Sequence, residues 1–311
     1  MTTETDIARA ETRKGVVYAI CAHFLWGAMA SYIGLLTHVP AHEVAANRGF
    51  WAAPVAFVAL LATGGLGQVG RVFRSPKLLL TLAFSSMLIA FNWGIYVWSI
   101  EQHRTLESAL GYFVNPLLNV VVGYLFLHER FTRAQMVAIL LACLAVAVQT
   151  YAVGVFPLMG LALAVTFCLY GFIRKKASVD AVPGFFVEAL VISVPAGFYI
   201  LHGAYAGTGH FLVSGWQDTL LLLGLGPFTA APLLFYSSSV RRIRYSTAGI
   251  LQYMSPSLVF LTAVFVFHEP MSPLRFASFA LLWLALAIYS VSAIREDKAR
   301  RAALTSSAAQ A

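Results

Sequence analysis

Apolar residues run along this chain in ten long blocks separated by short polar joints. The blocks fall at residues 15–37, 42–63, 78–100, 105–127, 133–152, 156–174, 183–204, 217–237, 245–267 and 274–294. Each is close to the ~20 residues that a helix needs to cross the hydrocarbon core of a bilayer. The joints are short, as between antiparallel neighbours, and the longest are the Gly-rich stretch 64–77 and the stretch 205–216. The block that follows Arg13-Lys14 exceeds the roughly 7–15 apolar residues of a signal-peptide core and lacks a small-residue cleavage pattern, so it is expected to remain as the first span.

Composition agrees with the pattern. The 311 residues are 59% hydrophobic and only 11% charged, with a mean hydropathy of +0.77; a soluble domain carries about 25% charge. The net charge of +8 does not collect on one face, so no nucleic-acid partner is expected. The three cysteines, Cys21, Cys143 and Cys168, all lie within apolar blocks without metal-ligand spacing and read as reduced core residues.

The basic residues give a direction. Arg9, Arg13 and Lys14 precede the first span; Arg71, Arg74 and Lys77 fill the second joint, and Arg130 and Arg133 the fourth. Arg174, Lys175 and Lys176 lie at the sixth, Arg241, Arg242 and Arg244 at the eighth, and Arg295, Lys298, Arg300 and Arg301 in the tail. These eighteen mark one side, against Arg104 and Arg275 on the other and Arg48 within a span. By the positive-inside rule both termini are expected to be cytoplasmic.

The fourth and ninth spans share a frame. Pro116, His128 and Glu129 recur 140 residues later as Pro256, His268 and Glu269, and Tyr96, Ser99 and Arg104 as Tyr236, Ser239 and Arg244. Leu25-Trp26-Gly27 answers Leu169-Tyr170-Gly171, and Pro54 answers Pro195. Spans one to five therefore repeat as six to ten, and because five is odd the second copy must be inserted upside down. The expected fold is all-α and integral to the membrane: ten transmembrane helices as a 5+5 inverted repeat. The expected divisions are a tail 1–14, a first repeat 15–152, a second repeat 153–294 and a disordered tail 295–311. Inverted repeats are the architecture of alternating-access carriers.

The chain resembles the EamA-type branch of the drug/metabolite transporter superfamily, and within it the RarD subgroup, over residues 14–295. The resemblance rests on Phe24-Leu25-Trp26-Gly27, Asn47-Arg48, Asn92-Trp93-Gly94-Ile95-Tyr96, the run Leu106 to Leu117, Leu169 to Lys175, and Pro183-Gly184 followed by Glu188. One departure is Asn47, where the subgroup's pattern has a histidine before Arg48. The resemblance implies a ten-helix carrier of small organic solutes in the bacterial inner membrane; relatives export amino acids and metabolites, and RarD-like proteins are linked to chloramphenicol sensitivity.

Ionisable side chains within a span cost roughly 2.5–3.5 kcal/mol each and so call for a reason. His23, Arg48, Glu107 and Glu188 are of this kind. Arg48 lies about seven residues inside the outer end of its span, about 10 Å at 1.5 Å per residue, where Glu107 enters from the same side and a direct pair is feasible. Glu107 and Glu188 are candidates to carry a coupling proton, against structural readings as a helix-terminus charge and a buried strut. Asn92, Tyr96 and Ser99 share one face of the third span, and Tyr112, Asn115 and Asn119 one face of the fourth. Asn92, Asn115 and Gln252 fall near mid-depth. With Trp26, Trp93, Tyr170 and Tyr236 as flat apolar walls, these residues form the candidate substrate cavity. Pro116, Pro232 and Pro256 are candidate hinges. The dipeptides His42-Glu43, His128-Glu129 and His268-Glu269 never continue as H-E-x-x-H and read as span-end caps, with no metal site.

No nucleotide-binding loop, no G-x-S-x-G elbow and no intramembrane lysine for a Schiff base occur. No catalytic residues, cofactor or nucleotide partner are therefore expected. The leading expectation is a secondary permease whose partners are a small solute and the lipid bilayer, with its oligomeric state open and a monomer sufficient. A membrane regulator or an intramembrane enzyme is the alternative.

Overall fold

The computed structural model describes residues 4–102, 105–154, 156, 158–265 and 272–308, with backbone alone at some of them, including 105–108. Among these residues the chain is helical throughout, with no strand. In order the helices are α1 (Glu4–Gly34), α2 (Ala41–Thr63), α3 (Leu66–Arg74), α4 (Pro76–Glu101), α5 (Thr105–Leu127), α6 (Arg133–Val153), α7 (Leu158–Lys176), α8 (Ala181–Ala206), α9 (Trp216–Val240), α10 (Tyr245–Leu251), α11 (Met254–Phe265) and α12 (Pro273–Ala308). Among the described residues nine, all but α3, α10 and α11, are long and apolar enough to cross a membrane. Large apolar side chains such as Leu80, Phe91, Leu140 and Phe198 stand outward and exposed, a surface that suits lipid and not water.

Three features differ from the expected spans. The ninth block is broken into α10 and α11 by a turn at Gln252-Tyr253. Pro256 has no N–H for the Gln252 carbonyl; that carbonyl instead accepts from Ser255 N at 3.1 Å, and Tyr253 N bonds Ile250 O at 3.2 Å. The Gly-rich joint holds α3, whose Val69 and Val72 face inward while Leu66 and Phe73 are exposed beside Arg71 and Arg74, the composition of a helix lying at a membrane surface. Both tails are also more helical than the spans require: α1 begins at Glu4, and α12 continues to Ala308 through the tail expected to be disordered.

Helix ends are fixed locally. Thr132 accepts from Gln135 N at 3.2 Å while the Gln135 side chain accepts from Thr132 N at 3.0 Å, a reciprocal cap that starts α6. His128, just beyond α5, takes φ 53°, a left-handed conformation uncommon without glycine. It turns the chain so that Glu129 N bonds back to Gly123 O at 3.0 Å.

The helices pack through small residues, which bring backbones close enough for dispersion to hold them. A Cβ on Gly111 would meet Gly160 O at 2.6 Å at the α5–α7 crossing, and one on Gly226 would meet Trp51 O at 2.5 Å at α2–α9. In both cases the obstacle is backbone, which cannot rotate away. Gly226→Ala is expected to destabilise by about 1–3 kcal/mol; an unchanged melting temperature in detergent would show that the crossing is looser than drawn.

Contacts between helices follow one rule. α1 packs on α9 as α7 packs on α4, α2 on α9 as α8 on α4, and α1 on α11 as α7 on α5; α2 with α8, α5 with α10, and α6 with α12 pair across. Exchanging the first five blocks for the last five carries this set of contacts into itself.

Candidate functional site

The middle of the bundle is a seam where α1, α5, α7, α9 and the α10–α11 break meet. Tyr170 and Tyr236 lie there fully buried, their rings stacked 6.5 Å apart. Trp26 lies 5.7 Å and Phe167 5.1 Å from the Tyr236 ring, and His23 stands edge-on at 6.3 Å. Gln252 donates to the Tyr236 hydroxyl at 3.3 Å from the residue where the helix breaks. Gly171 leaves room for the hydroxyls of Tyr236 and Tyr245, which any Cβ there would overlap. On α5, Asn115 and Asn119 sit one turn apart and buried, and Asn119 faces Gly249.

Among the described residues, polar atoms in this seam lack a close hydrogen-bond partner: His23 Nε2, Asn115 Oδ1 and the Asn119 amide, which faces the Tyr236 hydroxyl. Each such group costs about 1–3 kcal/mol when dry. Their convergence on one zone, with flat rings as walls, fits a place that takes a polar guest. By contrast Asn92 is occupied. Its amide donates to Leu163 O and Thr166 Oγ1, both at 2.8 Å, tying α4 to α7. Asn47 is likewise used within α2, donating to Glu43 O at 3.0 Å and accepting from the Trp51 indole at 3.1 Å.

Arg48, Trp93, Tyr96 and Tyr112 lie toward the end away from the basic residues. Arg48 is half-buried, with its guanidinium carbon 4.9 Å over the Trp93 ring and its Nε 3.3 Å from Thr229 Oγ1. Tyr96 and Tyr112 meet edge to face at 6.4 Å, and Tyr112 is 52% exposed. Glu107 belongs to the first turn of α5, but its side chain is outside the described residues, as are His268 and Glu269.

Toward the basic end the seam is closed by buried charge. Arg174 is completely buried and lies 3.7 Å from the equally buried Glu188. Its Nη2 donates to Ala181 O at 2.8 Å and its Nε to Ser237 Oγ at 3.4 Å, while Tyr170 makes a long 3.4 Å bond to the Glu188 carboxylate. Gly184 clears space for the guanidinium. Sequence reasoning singled out Glu188 but counted Arg174 with a basic joint; the usable signal was that Tyr170 and Arg174 are four apart on one helix face. Glu129 does not cap its own span. Its carboxylate accepts from Tyr245 N at 2.6 Å and from Ser246 N and Oγ at 3.1 and 2.5 Å, capping α10. Glu43 behaves alike at the other end, accepting from His210 N at 2.6 Å and His210 Nδ1 at 2.8 Å.

Of the prolines, Pro116 is buried in an unbroken α5, Pro232 lies within α9, and Pro256 sits in the first turn of α11 beside the break. Among the described residues no three His, Cys, Asp or Glu side chains gather as metal ligands.

Residues 13–151 match the model of the EamA-like transporter family. A protein named RarD from Salmonella typhi is 38% identical over 284 residues, covering 91% of this chain and 97% of its own. An uncharacterized transporter of Pseudomonas aeruginosa is 39% identical over 289 residues, covering 93% and 97%. A chloramphenicol-sensitive protein RarD of the same organism is 30% identical over 277 residues, covering 88% and 92%. A crystal structure of a protein 21% identical superposes with a TM-score of 0.67 over 91% of this chain and 98% of its own, which supports the fold. The chain is a multi-pass membrane protein and belongs to the RarD subgroup of the EamA-like transporter family.

Proposed function

We propose that the protein is a secondary carrier that moves a small organic solute across the bacterial inner membrane by alternating access. The observation that carries this reading is the seam of polar atoms without a close partner and of aromatic walls between the two sets of five spans. It is sealed at the basic end by Arg174–Glu188 and by Glu129 on α10, with Arg48 at the other end. The contacts that map into themselves on exchange of the two sets support a 5+5 inverted repeat of ten spans, α10 and α11 together forming the ninth. The basic end is then cytoplasmic and carries both termini. Broken helices at mid-depth are where such carriers bind solute, so Gln252, Asn115, Asn119, Trp26, Tyr170 and Tyr236 are the proposed binding residues. Asn92 holds the wall, Trp93, Tyr96 and Tyr112 line the outer approach, and the turn before Pro256 joins Pro116 and Pro232 as a point of flexing. Glu107 and Glu188 are the carboxylates proposed to carry a coupling proton. The chloramphenicol-sensitive relative suggests amphenicols among the compounds to try.

The test is a thermal-shift screen of purified protein against amino acids, aromatic metabolites and amphenicols, followed by uptake into proteoliposomes. A compound that stabilises the wild type should lose that effect in Asn115→Ala. Its uptake should lose its pH-gradient dependence in Glu107→Gln or Glu188→Gln. Stabilisation untouched by Asn115→Ala would place the solute elsewhere, and full gradient dependence in both Glu variants would remove the proton.

A further inference from the structure

Two arginines lie inside the spans, and they are treated differently. Arg174 has a carboxylate at 3.7 Å. For Arg48, no carboxylate of the described residues comes within ion-pair distance; its contacts are the Thr229 hydroxyl at 3.3 Å and the face of Trp93 at 4.9 Å. A guanidinium has five N–H donors, and one hydroxyl and one ring leave most of its donor edge unused. Holding a charge with no carboxylate among the described residues to neutralise it is costly at this depth, and Arg48 is only half-buried. Tyr96 and Tyr112 meet edge to face at 6.4 Å, Tyr96 on the same helix as Trp93. A cation, a hydroxyl and the Trp93 ring thus meet at one spot, with the Tyr96–Tyr112 pair on α4 and α5.

We infer that this spot binds an anion, and that the solute is an organic carboxylate whose charged end rests on Arg48 and whose apolar or aromatic body lies against Trp93, Tyr96 and Tyr112. This names the solute class for the carrier function proposed above and rests on it. A carboxylate fits the forked guanidinium with two parallel bonds. The rings, which an inorganic anion would leave idle, account for the organic part. The same chemistry could come from a lipid phosphate, and the experiment separates the two.

The test is binding of benzoate, its neutral isostere benzamide, and benzylammonium to the full chain in phosphatidylcholine nanodiscs by calorimetry. Wild type should prefer benzoate, R48Q should weaken benzoate by about tenfold to a hundredfold while leaving benzamide unchanged, and R48K should fall between. Equal binding of all three probes by wild type, or unchanged benzoate binding in R48Q, overturns the anion site. Recovery of benzoate binding in the double variant R48Q/E107Q also overturns it, since Arg48 would then act by neutralising Glu107. Benzoate displaced when phosphatidylglycerol replaces part of the phosphatidylcholine assigns the spot to a headgroup and overturns the solute reading. If R48Q does not fold, T229V is titrated instead. It removes the hydroxyl beside the guanidinium and should weaken benzoate several-fold, and no change overturns the site. Proteoliposome uptake of benzamide-like neutral compounds would leave the carrier function standing while the anion site fails.

Discussion

Replacing Glu188 with glutamine is expected to cost the fold about 3–5 kcal/mol, because it strands the Arg174 charge in a dry interior. Arg174 is fully buried, and its two other bonds, to Ala181 O and Ser237 Oγ, hold the group without neutralising it. Water cannot take over, since the helices around the pair are closed at this end. Unfolding in mixed micelles measures the loss. A change within about 0.5 kcal/mol, the usual scale of surface substitutions, would mean that the pair is wetter than its burial indicates. Removing both charges with R174M/E188L should restore much of the stability. Charge pairs of this kind are costly to halve and cheap to replace whole. If the pair matters for gating, the double variant will fold well and transport poorly.

The second large effect is expected at Glu129. Its carboxylate takes two backbone amides and the Ser246 hydroxyl, with Arg244 at 3.9 Å behind it. It ties the end of α5 to the start of α10, one element from each set of five spans. Hydrogen bonds to a charged acceptor contribute about 1.5–3 kcal/mol, so Glu129→Ala should shift the closed-to-open balance at the basic end by about tenfold or more. A cysteine at the buried Ser239, with the three native cysteines replaced, reads this out. Its reaction with an impermeant maleimide supplied from the basic side should speed up accordingly, and Glu129→Gln should give a smaller gain. Equal labelling rates in all three backgrounds would make the contact a cap alone and not part of the closure.

The long apolar helices were legible because hydropathy is an average over many residues and survives local error. The break in the ninth block was not. Pro116 and Pro256 hold matching places, yet α5 runs through one and the chain breaks before the other. The difference is tertiary: Tyr253 reaches across to Phe113 O at 3.1 Å, and Gly249 packs against Asn119, contacts no periodicity reveals. Trp26, Tyr170, Tyr236 and Gln252 lie in contact, with Asn119 facing Tyr236 and Asn115 one turn away on α5. Asn92 has the right depth but spends its amide on α7. Arg174 was hidden because the first member of a basic run looks like the others until the length of α7 shows it inside the bundle. The helix α3 was obscured by its two glycines, Gly67 and Gly70, whose cost to a helix is offset here by Val69 and Val72 packing against the neighbouring spans.

The tie made by Glu129 has a consequence for how such a protein changes over generations. The carboxylate reads main-chain amides, and every residue but proline offers the same amide. The side chain at 245 can therefore be exchanged, as the cavity is reshaped for another cargo, without loosening the join. Two side chains add to it: Arg244 at 3.9 Å, and Ser246, whose hydroxyl is also held by Tyr289 at 3.0 Å. Machinery that closes the protein and surfaces that choose its cargo are thus separable at this point, and new specificities can arise there without each having to reinvent the closure.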